Sequence, residues 1–488
     1  MNINAGLSDQ LLSQLSERIA GSMGLHFPPD RWRELEAGVC TAARELGLPD
    51  VVAWAHRLLE APLTRDVIEI LAAQLTIGET YFFRDTRSFE IIGEQLLPEM
   101  IRARRGAGQR LRIWSAGCCT GEEPYSLAIL LDRILPDLRD WQLTLLATDV
   151  NPHFLRKAAA GVYGEWSFRE APAWLKGNYF EPVAPNRFVI LPRIRQLVTF
   201  AYLNLAADAY PTLAGGTNAM DLIFCRNVLM YFPPDTARRV IHNFHHCLLE
   251  AGCLLLTGVE GCSQWLTGFD PTPFDGAALY RKSTASSFAG SVHTTVAMTD
   301  TERFEEPAPL GNQPPGEAQP NDVASRAYSE AQALFETGAY CEAARKLTAN
   351  PAAATVQTSV LWARICANLG NLADARCWAE RAIAADKVDA SLHYLRAVIL
   401  REQGLTQEAC SALKRAIYLE PGFALAHFTL GSVAQQRGRH DEARRHFVNT
   451  LELLRSHRDD EVLPHSDGLA AGCLRETIRS VVPAGVTA

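Results

Sequence analysis

The spacing of apolar positions changes three times along the 488 residues of the chain. At the start, Leu7, Leu11, Leu12, Leu15 and Ile19 recur at helical intervals, and "PPDRWRELEAGV" places Asp30 as an N-cap before a second amphipathic run. No strand-like alternation interrupts this stretch, so a small helical domain is predicted over residues 1–80. From Leu111 to Lys282 the apolar runs become short and alternate with helical segments: "LRIWSA", "QLTLLATD", "QLVTFAYLNL", "MDLIFCRN", "GCLLLTGVE" and "ALYRKS". This alternation predicts an α/β domain over residues 81–283, a mostly parallel sheet with helices on both faces. Within it, "FEPVAPNRFVILPRIRQLVTF" is rich in proline and β-formers, which predicts a small strand excursion near residues 176–200.

Residues 284–322 are dominated by Pro, Gly, Ser, Thr and acids and bury little apolar surface, the composition of a flexible linker. Beyond it the chain repeats itself. Gly338, Gly370, Gly404 and Gly438 are spaced by 32, 34 and 34 residues, and five positions after each stands Ala343, Ala375, Ala409 or Ala443. Ala382, Ala416 and Pro421 extend the pattern, with glycine ending a first helix and alanine placed where two helices cross closely. A period of 34 with this grammar resembles tetratricopeptide repeats, expected over residues 323–456 with a tail over 457–488. Such repeats stack into a superhelix that binds a peptide or protein partner.

Composition narrows the chemistry. Lys and Arg total 47 against 55 acids, and residues 1–80 hold six Arg, no Lys and eleven acids, so nucleic acid is not expected as a partner. No apolar run approaches a membrane span, and the N-terminus lacks the cationic start and apolar core of a signal peptide, which predicts a cytoplasmic protein without membrane insertion. The twelve cysteines include no C-x-x-C pair, as expected of reduced thiols. Cys118 and Cys119 are adjacent, a poor geometry for one ion, so no metal is expected.

The stretch "IWSAGCCTGEEPYSLAILL" carries the most chemistry. A strand runs into Ala116, Gly117, Cys118, Cys119, Thr120 and Gly121, and a helix follows with Glu122 and Glu123 in its first turn. Small residues let a ligand approach the backbone, and the helix N-terminus offers N–H groups. The dinucleotide fingerprint is broken, because Cys119 stands at its middle glycine, and two carboxylates repel a pyrophosphate. The next strand ends at Asp149, where an acid accepts both hydroxyls of a ribose. Together these describe a holder for a nucleoside without phosphates, such as S-adenosylmethionine; the other reading is a plain βα turn beside a solvated acid. Glu122 reads as a solvated first-turn acid that complements the helix dipole.

With "GETYFFRD", "SAGCCTGEEPYS", "ATDVNPHFLRKAAAGVY", "YLNL" and "CRNVLMYF" in order, residues from Leu7 to Lys282 resemble the chemotaxis receptor methyltransferases, the CheR family. With its appended repeats the chain is similar to the Wsp-type members of biofilm and surface-sensing pathways. The resemblance implies a Rossmann-like class I methyltransferase fold, S-adenosylmethionine as cofactor, and transfer of methyl to glutamate side chains of a methyl-accepting chemoreceptor-like protein. It assigns Thr80 and Arg84 to the cofactor, Arg84 near the active centre; Gly117, Glu123 and Asp149 to the turn and adenosine; Asn204 and Leu205 to the adenine side; and Arg226 with Asn227 to closing the pocket. Tyr231 sits by the methyl group in this scheme, and the strand excursion matches a β-subdomain that helps dock receptors. Gly78 stands where the family commonly has Asn, and Cys119 where it has Ser or Ala.

Two side chains keep a second reading, Arg84 as a surface partner of Glu79 or Asp85 and Tyr231 as a core aromatic, whereas Asn227, after the apolar "LIFC" at a strand end, is the better functional candidate because a buried amide demands partners. A carboxylate acceptor with a reference pKa near ~4.3 is already a nucleophile at neutral pH, so no general base is required. The alternatives for the whole chain are a methyltransferase of another protein or small acid, and a non-catalytic S-adenosylmethionine-binding scaffold.

Overall fold

A computed structural model describes residues 6–106, 108–206, 210–261, 264–274, 277–283, 320–348 and 355–481. Most of the expected linker, residues 284–319, and the end of the tail, residues 482–488, lie outside the described residues.

Helices Asp9–Met23, Trp32–Glu45, Val51–Glu60 and Arg65–Leu75 form the N-terminal part around Leu15, Ile19, Leu35, Val39, Trp54 and Leu71. Ser8 and Asp50 cap two of these helices with their side-chain oxygens. Asp30 does not cap the second. It lies inside a single tight turn, Pro29–Arg31, and the helix begins at Trp32 without a side-chain cap. Pro28 and Pro29 fix φ and start the turn before Asp30 reaches a capping position.

The expected sheet is present. Strands β1 (Arg110–Ala116), β2 (Gln142–Asp149), β3 (Val162–Gly164), β4 (Phe180–Ala184), β5 (Arg187–Ile190), β6 (Val198–Tyr202), β7 (Met220–Phe224), β8 (Leu248–Leu256), β9 (Phe269–Phe274) and β10 (Ala277–Lys282) form two sheets. The larger has the order β6-β2-β1-β7-β8-β10-β9, with β6 to β8 parallel and the β9–β10 pair antiparallel. The strand order reverses between β1 and β7, so a crevice opens at their C-terminal ends. The smaller sheet, β3-β5-β4, is the strand excursion, displaced from its expected limits. It begins at Val162, a three-residue strand too short to show alternation, and the chain beyond Pro192–Arg195 returns to the main sheet as β6.

Four helix pairs follow: Pro320–Glu336 with Tyr340–Thr348, Val356–Asn368 with Leu372–Ala385, Ala390–Glu402 with Thr406–Leu419, and Ala424–Gln436 with His440–Leu454. Gly338, Gly370, Gly404 and Gly438 all take positive φ between the helices of a pair, a conformation open to glycine at little cost. The four alanines at the crossings are buried.

The repeats lie against the sheet. Arg110 and Arg112 at the start of β1 pair with Glu402 at 3.1 and 3.6 Å, and the Glu402 side chain is only 2% exposed. The Gln142 amide at the start of β2 donates to the Gln403 carbonyl. These contacts sit at the N-terminal ends of the strands, opposite the crevice. A last helix, Ala471–Val481, covers the edge strand β6, where the Tyr202 N–H donates to Thr477 Oγ1 at 3.1 Å.

Candidate active site

At the end of β1 the chain turns through Gly117 (φ 80°), Cys119 (φ 50°) and Gly121 (φ 94°) into the helix Glu122–Ile134. The N–H groups of Gly117 and Cys118 both donate to the Thr148 carbonyl, at 2.8 and 2.9 Å, which ties the turn to β2. Any Cβ at Gly117 would stand 2.4 Å from Val228 Cγ2, so both the dihedral and the space demand glycine.

Asp149 closes β2. Its Oδ2 accepts the Cys119 N–H and its Oδ1 the Asn151 N–H, each at 2.8 Å. Burial raises its pKa to about 6, against the pull of these N–H groups toward the charged form. Glu123 accepts a 2.7 Å hydrogen bond from Ser115 Oγ, and burial raises its pKa while Arg226, 4.0 Å away, opposes the rise.

The segment "GETYFFRD" is anchored by two rings. Phe82 packs edge-on against Tyr163 and Phe180, and the Phe83 N–H donates to Ser126 Oγ at 3.0 Å. Phe83 (φ 57°) and Asp85 (φ 63°) are both left-handed, an uncommon backbone for a bulky phenylalanine, and the buried rings hold it. Arg84 lies between them, its Nη1 donating to the Glu79 carbonyl at 2.6 Å. The carboxylates expected as its surface partners are engaged elsewhere, Glu79 with Arg169 at 2.6 Å and Asp85 with Arg226 at 2.9 Å. Gly78 has a local cause as well: a Cβ there would meet the Phe154 ring at 2.7 Å.

Beyond β7, Arg226 is buried and also donates to the Arg84 carbonyl at 2.9 Å. Asn227 is half-buried rather than buried, in left-handed backbone (φ 58°). Asn204 spends its amide on structure: Nδ2 donates to the Ser22 carbonyl at 2.7 Å and Oδ1 accepts the Ala206 N–H at 3.0 Å. Tyr231 is half-buried among the N-terminal helices, with the Arg31 guanidinium 5.5 Å from its ring centroid and its carbonyl accepting the His26 N–H.

Thr80, Arg84, Gly117, Glu123, Asp149, Asn204, Leu205, Arg226, Asn227 and Tyr231 all line one cavity. Met23, Leu25 and Leu75 of the helical domain close it, a contribution the sequence did not announce. Glu122 is not in it and is not solvated. At 1% exposure its carboxylate accepts from Thr120 Oγ1 at 2.6 Å and Ser167 Oγ at 2.9 Å.

Two further residues were missed. Glu260, 2% exposed, accepts the N–H groups of Asn227 at 2.8 Å, Val228 at 2.6 Å and Met230 at 3.4 Å, and so shapes the loop that carries Asn227 and Tyr231. Asn151, fully buried, caps the helix Pro152–Ala160 and donates to Thr76 Oγ1 at 2.8 Å, fixing Asp149 against the helical domain. Glu260 stands four residues beyond the end of β8, too far past the strand for the signal that marked Asp149.

The family model "CheR methyltransferase, SAM binding domain" matches residues 78–271. Chemotaxis protein methyltransferase 1 of Pseudomonas aeruginosa is 35% identical over 219 residues, 44% of this chain and 77% of that protein. The chain belongs to the chemotaxis protein methyltransferase family. It is thus an S-adenosylmethionine-dependent methyltransferase. A chemotaxis protein methyltransferase of Borreliella burgdorferi is 26% identical over 58% of this chain and 97% of that protein. Beyond the catalytic region, this methyltransferase carries a tetratricopeptide repeat matched at residues 390–423. It is also 29% identical to the probable biofilm formation methyltransferase WspC of Pseudomonas aeruginosa, over 84% of this chain and 91% of that protein. No helix among the described residues is long and apolar enough to cross a membrane.

Proposed function

We propose that this methyltransferase esterifies glutamate side chains of a methyl-accepting chemoreceptor-like protein in the cytoplasm, and that its repeats and β-subdomain contact protein partners. The observation that carries the reading is the convergence, on one cavity, of an acid at a β2 terminus, a glycine turn and two arginines. The residues fit the cofactor: Asp149 would accept ribose hydroxyls, Gly117 would let the ligand approach the backbone, Arg84 would meet a carboxylate, and Arg226 with Asn227 would close the pocket. When bound, S-adenosylmethionine supplies a methyl group on a positively charged sulfur.

The chain's own residues supply the rest. Asp149 and Glu123 would hold the nucleoside portion, and Asn204 and Leu205 would border the base. Arg84, held by the Glu79 carbonyl, orients carboxylates, while Tyr231 positions the acceptor or the methyl group. The acceptor glutamate is ionised at neutral pH and is itself the nucleophile. Met23, Leu25 and Leu75 exclude water, which otherwise stabilises the separated charges of acceptor and sulfur. Alignment of the reacting atoms contributes roughly 7–11 kcal/mol in favourable cases. Replacing Arg84 by alanine is expected to abolish methyl transfer to a receptor cytoplasmic fragment while the thermal midpoint is kept; retained turnover would remove Arg84 from the site.

A further inference from the structure

The repeats already hold a peptide, and it is their own. After the last repeat helix the chain folds back as a tight hairpin, with Val462 bridged to Ala470 and the Leu463 N–H donating to the Leu469 carbonyl at 3.0 Å. Ser466, 1% exposed, pins the turn by donating to the carbonyls of Leu463 and Leu469. The hairpin touches two repeat units directly and meets the unit between them through Phe423. Asp467 forms an ion pair with Arg364 of the helix Val356–Asn368. The His465 ring stacks on Phe423, centroids 6.0 Å apart, and Phe423 in turn meets Tyr394 of the helix Ala390–Glu402 at 5.1 Å. Leu463 is buried in the same apolar core as these rings.

All of these repeat residues lie on, or immediately before, the first helix of a unit, and this face is where such arrays take extended ligands. The occupant is held by one ion pair, one ring stack and short apolar side chains, and its flanks are open, since Val462, Pro464 and His465 are exposed. His465 (φ 61°) and Asp467 (φ 58°) both sit in left-handed backbone, as the tight turn around Ser466 requires. A ligand that presents the same three groups competes with it.

We propose that the first-helix face of the repeats is a docking site for a segment of a partner protein that presents an apolar residue, a planar ring and a carboxylate at alternate positions. Residues 461–470 fill that site in cis through Leu463, His465 and Asp467 until the partner displaces them. The proposal deepens the reading of the repeats as protein contacts and does not depend on the catalytic assignments.

A fluorescein-labelled peptide of residues 459–470, DDEVLPHSDGLA, titrated into the full-length protein tests it by anisotropy. The Asp467→Lys chain, its own hairpin repelled by Arg364, is expected to bind the peptide at least tenfold more tightly than the unaltered chain. Adding Arg364→Glu to that variant is expected to erase the gain. Asp467→Asn, a milder change, is expected to give a gain of about threefold and serves if the lysine variant does not fold. Equal binding by the unaltered chain and both Asp467 variants, or a gain that survives reversal of Arg364, overturns the proposal. Methyl transfer by the same samples separates the two readings: active enzyme without peptide gain sinks only the docking site, and peptide gain with inactive enzyme sinks only the catalytic account.

Discussion

At the scale of single residues, Asp149 carries the most weight, because in the proposed function its charge is what a ribose would recognise. Burial holds its pKa at about 6, above the ordinary carboxylate value, so it is ionised at neutral pH and protonated in mild acid. A hydroxyl donates well to the ionised form and poorly to the neutral one. Cofactor affinity is therefore expected to be constant above about pH 7 and to fall as pH drops through 6. Replacement by alanine is expected to remove about 1.5–3 kcal/mol of binding, the range for hydrogen bonds to a charged group. Isothermal titration from pH 5 to 8 checks both, and a flat profile with unchanged affinity would take Asp149 out of the ribose role. Gly117 makes a second prediction. A Gly117→Ala chain strains a φ of 80° and pushes Val228 at 2.4 Å, so cofactor affinity should fall at least tenfold, measured by the same titration.

The placement of Gly117 in a turn and of Asp149 at a strand end, both on one cavity, was legible because those signals are local. Glu260 and Asn151 were not, because their roles depend on N–H groups and hydroxyls brought from distant segments. Glu122 failed for the same reason. An acid in a first helical turn satisfies the dipole rule exposed or buried, and its burial comes from Ser167, 45 residues away.

Elements were legible where they were long and regularly patterned. Six apolar runs became strands of the main sheet, and the glycine–alanine period became four helix pairs. Short elements escaped: the three-residue β3 shows no alternation, and two prolines turned the chain before Asp30. The contact between elements that matters most is the one at Glu402, where a repeat helix ends on the start of β1. Burial lowers the Arg110 pKa to about 10, with Arg112 beside it pressing the same way and Glu402 opposing both. Removing the carboxylate leaves the buried Arg112 and the half-buried Arg110 facing each other, so Glu402→Ala is expected to cost about 3 kcal/mol. Thermal unfolding should show a lower midpoint, or a separate early transition for the repeats; an unchanged melt would mean that the pair is not what joins them.

On the scale of the whole molecule, one sheet is approached from three sides. The N-terminal helices close the cavity over the strand ends, the repeats rest on the opposite ends, and the last helix covers the β6 edge. None of this docking was legible, since composition and periodicity describe units and not the faces they share. β6 runs directly into Leu203–Leu205, so the helix Ala471–Val481, which follows the hairpin, borders the strand that leads to the cavity. The central claim is that this cavity delivers methyl to a receptor carboxylate. Incubating the full chain with tritiated S-adenosylmethionine and a chemoreceptor cytoplasmic fragment, then treating with base, measures it directly. The account predicts label on the receptor that is released as volatile methanol and vanishes with Arg84→Ala; label that is absent, or stable to base, would contradict it.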